Sequence, residues 1–311
     1  MPHDHPHDHA HHHAHGHAHG GASAMNGAFA LAIALNLGFT AVEFIYGFIA
    51  HSSALMADAG HNLSDVLGLV LAWGGAWLAR RAPDSRFTFG LRGSSILAAL
   101  ANAMFLMIAC GAIGWDAFRR LLDPPEVASV TVMVVAAIGV LINTASAWLF
   151  VKGSKEDLNL RGAFLHLAAD AAVSVGVVLA GLVILYTGWN WLDPVTSLVI
   201  TVVIVIGTWG LLRESLKMAL NAVPAGIDLP EVDAWLRDQP GVTGIHDLHI
   251  WGMSTTETAL TVHLVMPDGH PGDAWLDERA EQLHQRFRIG HSTFQVERGD
   301  SDHVCTLHTT S

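Results

Sequence analysis

The chain reads as an α-helical membrane protein, with six transmembrane helices followed by a C-terminal cytoplasmic α+β domain. Three observations predict this. Six apolar stretches, each long enough to span a hydrocarbon core of roughly 30 Å at 1.5 Å per residue, follow one another with short polar connectors between them. Hydrophobic residues make up 51% of the 311 residues and charged residues only 14%, against about a quarter charged in soluble domains. From about Pro224 the apolar runs shorten and Asp and Glu become frequent.

The first segment, MPHDHPHDHAHHHAHGHAHGG, is a low-complexity His tract that has nothing to build a core from, so it is expected to be disordered. An affinity tag is one reading. Its irregular interleaving and HD repeats favour a native tract whose imidazoles capture metal. No basic region precedes an apolar core at the N-terminus, so no cleaved signal peptide is expected.

The six spans are expected at about Ala28–Ala50, Ala54–Ala79, Ser95–Phe118, Val127–Val151, Gly162–Thr187 and Leu192–Leu212. Asp123-Pro124-Pro125 separates the third from the fourth, and Gly188 to Pro194 the fifth from the sixth. Orientation follows from the positive charges. Arg80, Arg81, Arg86 and Arg92 follow the second span, Lys152, Lys155 and Arg161 the fourth, and Arg213 and Lys217 the sixth. Only Arg119 and Arg120 lie on the other side. Both termini are then cytoplasmic, and Trp115, Trp189 and Trp191 fall at the outer interface.

In the tail, LPEVDAWLRDQ reads as a helix, and VTGIHDLHIWGM and TETALTVHLVMP as strands. GDAWLDERAEQLHQRF reads as an amphipathic helix and HSTFQVER as a third strand. The order αββαβ suggests one sheet with helices on one face. The chain thus divides into a His-rich cytoplasmic tail (1–24), a membrane domain (25–217) and a cytoplasmic domain (218–311). A net charge of −12 argues against nucleic-acid binding. Cys110 and Cys305 lie in different kinds of segment, so no disulfide framework is expected.

Chemistry concentrates in two spans. His61 and Asp65 in the second, and His166 and Asp170 in the fifth, are both i, i+4 pairs that share one helix face. Two such pairs together make an N2O2 set suited to a tetrahedral divalent metal such as zinc. An ionisable residue at the bilayer centre costs about 2.5–3.5 kcal/mol, so such residues are functional by default. Asp58, on the same face, is either a ligand or a partner that orients His61. Asn36, Glu43 and Asn143 either line an aqueous cavity or join helices by hydrogen bonds.

With these residues in view, the chain resembles the cation diffusion facilitators, a family of divalent-metal/proton antiporters. HSSALMADAGHNLSD, NLRGAFLHLAADAAVS, FTFGLR, LRESLKMALNAVP and GIHDLHIW carry the resemblance, which covers nearly everything after the His tract. It implies that His61, Asp65, His166 and Asp170 form the transport site. It further implies a homodimer, proton exchange and a metallochaperone-like fold for the tail. HxxxD in both spans usually accompanies zinc in this family, often with cadmium or cobalt tolerated. Relatives bind metal in the tail, where the matching positions are His246, His263 and Glu297, with Gln295 and His291 nearby. Cys305 and His308 would add a thiolate and an imidazole. Two departures stand out: the loop PDSRFTFGLRG has no His, and RGSSILAAL lacks the acidic residue common after it.

The expected activity is export of Zn2+ from the cytoplasm across the bacterial inner membrane in exchange for H+, with Zn2+ also acting on the tail. No organic cofactor or enzymatic reaction is expected. A metalloenzyme needs an open metal position and a base, and no HExxH occurs. No GxxxxGK[ST] occurs either. A cobalt- or nickel-preferring exporter and a membrane-tethered metal buffer are the alternatives.

Overall fold

The computed structural model describes residues 20–151 and 158–299. Most of the His tract, together with Cys305 and His308, lies outside them. Six long helices come first: α1 (Gly20–Ile49), α2 (Ser53–Ala79), α3 (Ser94–Leu122), α4 (Ser129–Phe150), α5 (Leu158–Thr187) and α6 (Leu192–Ala219). α3, α4, α5 and α6 are long and apolar enough to cross a bilayer, and α1 adds a shorter apolar stretch, Ala34–Ile49. α1 starts at Gly20, inside the stretch expected to be disordered. Extending an established helix costs far less than nucleating one, and Ala22 and Ala24 favour helix.

Close approach of the helices depends on small residues. A Cβ on Gly139 of α4 would lie 2.7 Å from Phe39 Cζ of α1, so only glycine admits that ring. Phe39, Leu55, Leu106, Val135, Val177 and Ile204, from six different helices, share one buried cluster.

α2 is held at its first turn. Ser52 is its N-cap, at φ −95° and ψ 115°, and its Oγ accepts from Leu55 N at 3.1 Å. The carboxylate of Asp193, at the start of α6, closes the arrangement. Ser53 N and Ser53 Oγ donate to Asp193 Oδ2 at 2.7 and 2.8 Å, and Ser52 Oγ donates to Oδ1. Asp193 is buried. A carboxylate at a helix N-terminus is favoured by the unpaired N–H groups and the dipole. This ties the N-terminal end of α2 to α6.

The tail folds as α7 (Leu229–Arg237), β1 (Gly244–Gly252), β2 (Thr258–Val265), α8 (Asp273–Phe287) and β3 (His291–Glu297), in the αββαβ order that its patterning suggests. The sheet order is β1-β2-β3, with β1–β2 antiparallel and β2–β3 parallel. The parallel pair needs a crossover, which α8 supplies. Leu260 and Leu264 of the central strand pack with Leu236 of α7 and with Leu283 and Phe287 of α8. β1 bulges between His246 and His249, and Asp247 within the bulge has φ +52°.

Three contacts join this domain to the membrane helices. Arg92 Nη1 lies 3.3 Å from Glu257 Oε2. Thr255 N donates to Ser95 Oγ at 3.1 Å. The rings of Phe89 and His291 meet edge to face at 6.0 Å. Where RGSSILAAL lacks an acidic residue, Arg92 therefore finds its acid on the cytoplasmic domain.

Asp193→Ala strands two hydroxyls and an N–H at a buried helix end, at an expected cost of about 1–3 kcal/mol. Thermal unfolding of the detergent-solubilised full chain should show a lower midpoint, with Asp193→Asn between the two. A midpoint equal to wild type for Asp193→Ala would refute the anchoring role.

Candidate metal centre

α2 and α5 meet where their polar faces oppose. His61 and Asp65 project from α2, one turn apart, and His166 and Asp170 project likewise from α5. His61 Nε2 lies 3.4 Å from Asp170 Oδ1, and His166 Nε2 lies 3.2 Å from Asp65 Oδ2. Within each helix, His61 Nδ1 is 3.7 Å from Asp65 Oδ2, and His166 Nε2 is 3.6 Å from Asp170 Oδ2. The two rings stand edge to face, with centroids 6.0 Å apart. Each imidazole thus faces both carboxylates. One ligand atom each from His61, Asp65 and Asp170 lies within 4.8 Å of the others. His166 is the most exposed of the four at 46%, and Asp170 the least at 5%.

Buried polar atoms without partners are rare in folded proteins and mark functional chemistry when they converge. His61 Nδ1 is one such atom. Two imidazoles and two carboxylates form a borderline donor set that a tetrahedral divalent ion fits.

Asp58, one turn before His61, is fully buried. Its Oδ2 accepts from Ser174 Oγ of α5 at 2.9 Å. Glu43 Oε2 of α1 accepts from Asn62 Nδ2 at 3.1 Å. Both atoms of the Asn143 amide are buried without a hydrogen-bond partner. Asp58 and Glu43 are thus each met by one neutral donor close to the His–Asp cluster. In the sequence, Glu43 is a lone acid in an apolar run; its pairing needs the packing of α1 on α2.

A second cluster sits on the cytoplasmic sheet. His246 pairs directly with His263 across β1–β2, and their rings lie 4.9 Å apart. Glu297 closes the group from β3: Oε2 is 2.9 Å from His246 Nε2, and Oε1 is 3.0 Å from His263 Nδ1. Ligand atoms of all three lie within 4.8 Å of one another. The bulge brings in two residues that sequence reasoning missed. Asp247 Oδ1 lies 3.1 Å from His249 Nε2, and Asp247 Oδ2 lies 3.5 Å from His263 Nε2. Bulges carry no sequence signal beyond imperfect alternation, so this pair was hidden. Gln295 donates from Nε2 to Glu297 Oε1 at 2.6 Å.

His291 does not join this cluster. It pairs with Ala259 at the other end of β3 and contacts Phe89, six residues and about 20 Å of strand from Glu297. Period-2 spacing puts the two on one face of the strand without putting them near each other. Burial resists ionisation of Glu297. Hydrogen bonds from His246 and Gln295, with the charges of His246 and His263, outweigh it and hold the carboxyl below the usual Glu range.

Residues 29–219 match the cation efflux transmembrane domain, and residues 224–299 match the cation efflux protein cytoplasmic domain. The chain belongs to the cation diffusion facilitators. It is 37% identical over 268 residues to the metal cation efflux system protein CzcD of Cupriavidus metallidurans, covering 86% of this chain and 85% of that protein. It is 36% identical over 268 residues to the zinc transporter ZitB of Escherichia coli, with coverage of 86% and 85%. It is 32% identical over 275 residues to the cadmium, cobalt and zinc/H(+)-K(+) antiporter of Bacillus velezensis, with coverage of 87% and 88%. As a facilitator it is a multi-pass membrane protein of a metal-cation transporter family, not of an enzyme family.

A carboxyl held below its ordinary value adds stability above that value, and the stability is lost as pH falls through the folded value. Hydrogen exchange across β1, β2 and β3 of the full chain, compared with Glu297→Gln, reads this directly. Wild type should be better protected near neutrality, and the difference should vanish in acid once the carboxyl is protonated. A difference independent of pH would mean that the substitution acts through packing.

Proposed function

We propose that this facilitator exports Zn2+ from the cytoplasm in exchange for H+, with Cd2+ and Co2+ as tolerated substrates. His61, Asp65, His166 and Asp170 form the tetrahedral transport site between α2 and α5. The convergence of these four side chains, inside helices that otherwise expose apolar residues, carries the reading. The zinc, cadmium and cobalt named for its relatives support it.

The four ligands bind metal only as neutral imidazoles and ionised carboxylates. Protons and zinc therefore compete for the same atoms. At near-neutral cytoplasmic pH the imidazoles are available and zinc binds. Facing a more acidic exterior, His61 or His166 takes a proton and the ion leaves. Return of the protonated site carries protons inward, so the gradient drives export. Asp58 acts on His61 from one turn away through its charge.

In this reading six helices cross the bacterial inner membrane, with both termini in the cytoplasm, and the transport unit is a homodimer. Residues 1–24 form the His-rich tail, 25–217 the transport domain and 218–311 the metal-binding and dimerisation domain. His246, His263 and Glu297 would hold a regulatory Zn2+, for which an N2O donor set within 4.8 Å is suitable. Cys305 and His308 are further candidates for that site. Bound metal would draw two acidic domains together by offsetting their like charge.

Flux into proteoliposomes tests the proposal. Zinc uptake should rise with an imposed pH gradient, and His61→Ala should bring it down to the level of empty vesicles. Uptake indifferent to the gradient would overturn exchange, and full activity in His61→Ala would overturn the site. A metal panel separates zinc preference from a cobalt or nickel exporter, because an N2O2 set does not rank these ions by itself. Removing residues 1–20 should leave flux intact in a transporter and abolish function in a metal buffer.

A further inference from the structure

The bulge in β1 builds a face that regular alternation would not. His246 pairs with His263, and His249 pairs with Thr261. On β2 those partners are two residues apart and share a face, yet on β1 the pair is three residues apart. The extra residue of the bulge therefore carries His249 onto the face of His246. In an unbulged strand Leu248 would stand there, and His249 would turn to the face that packs on α7 and α8. Asp247, inside the bulge, takes φ +52°. Left-handed backbone is unfavourable for most residues that carry a side chain, and Asp and Asn tolerate it better than others.

This conformation sets the Asp247 carboxylate between two imidazoles. His249 Nε2 lies 3.1 Å from Oδ1, and a carboxylate only accepts, so His249 donates there. His263 Nε2 lies 3.5 Å from Oδ2. The opposite nitrogen of the same ring, His263 Nδ1, lies 3.0 Å from Glu297 Oε1. His263 thus has a carboxylate at each nitrogen. A neutral imidazole has one N–H and one lone pair. An imidazole that binds metal gives the lone pair of one nitrogen and keeps its hydrogen on the other. Nδ1 is the nitrogen that faces Glu297, whose Oε2 is 2.9 Å from His246 Nε2. With Nδ1 turned to that group, the hydrogen belongs on Nε2, where Asp247 is the acceptor.

We propose that Asp247 is a positioning residue of the cytoplasmic cluster. It accepts the Nε2–H of His263, which leaves Nδ1 for a divalent metal held with His246 and Glu297, and His249 holds Asp247 in that place. The inference rests on His246, His263 and Glu297 being a metal centre. Asp247 is not itself a ligand. It fixes the ring orientation and the tautomer that exposes the Nδ1 lone pair, and its charge makes that lone pair a better donor. The side chains of Asp247 and His263 are 20% and 17% exposed, so water reaches this contact little. The bulge then belongs to the metal centre, because only the extra residue brings a carboxylate to the far side of the His263 ring.

Nitrogen NMR of the full chain, labelled at histidine, reads the tautomer directly. The His263 signals are those lost in His263→Gln. With zinc bound, Nε2 should carry the hydrogen and Nδ1 the metal. A titration in which a chelator buffer fixes the free zinc gives the affinity at this one ring, unaffected by zinc held elsewhere on the chain. Asp247→Asn and Asp247→Gly both suit the left-handed backbone, and each should weaken zinc at His263 by about 10–100-fold. Hydrogen exchange of the β1 and β2 amides should stay at wild type in both variants. Zinc on Nε2 of His263, unchanged affinity in both variants, or affinity lost only together with amide protection overturns the proposal. His246→Ala separates the two readings. It should remove the response of His263 to zinc. If the response survives, the metal-centre reading fails and the positioning role with it; if it is removed while both Asp247 variants bind as wild type, the positioning role alone fails.

Discussion

A carboxylate buried among apolar helices has to be met by hydrogen-bond donors or by a cation, because leaving it uncompensated costs several kcal/mol. This constraint organises the membrane domain. Asp193 is met by the first turn of α2, through the Ser52 and Ser53 hydroxyls and the Ser53 N–H. Asp58 is met by Ser174, and Glu43 by Asn62. Asp65 and Asp170 are met by the imidazoles of His166 and His61 from the opposite helix. All of these involve α2 or rest against it. One helix thus carries, in succession, the anchor to α6, the buried Asp58 and half of the His–Asp cluster.

These groups differ in how completely they are satisfied. The Asp193 anchor has donors on both oxygens, as a structural contact needs. The inner groups leave His61 Nδ1, Asp58 Oδ1 and Glu43 Oε1 without hydrogen-bond partners. A site that takes up and releases an ion has to leave coordination capacity open when the ion is absent. In the proposed transport site, full hydrogen bonding would stabilise the fold and compete with the cargo.

The cytoplasmic sheet applies the same logic in water, where the cost is lower and the donors are rigidly spaced. Strand register sets His246 opposite His263, and the parallel β3 brings Glu297 alongside Val265. Arg92–Glu257 and Ser95–Thr255 then join this sheet to the start of α3.

Much of this was legible in the chain itself. Apolar runs of bilayer length and the αββαβ pattern are local properties, set by hydropathy and by periods of 3.6 and 2. The i, i+4 spacing of His61–Asp65 and His166–Asp170 places each pair on one helix face without any tertiary knowledge. What no local rule supplies is which faces meet. That Glu43 of α1 reaches Asn62 of α2, that Asp193 caps a helix some 140 residues earlier, and that a bulge turns Asp247 toward His249 and His263 all depend on long-range packing and register. His291 shows the same limit from the other side: it shares a strand face with Glu297, yet strand length separates them. Sequence determined the elements and the ligand chemistry because both are encoded within a few residues. Tertiary structure alone decided the partners, because burial makes each buried charge answer to whatever the fold brings beside it.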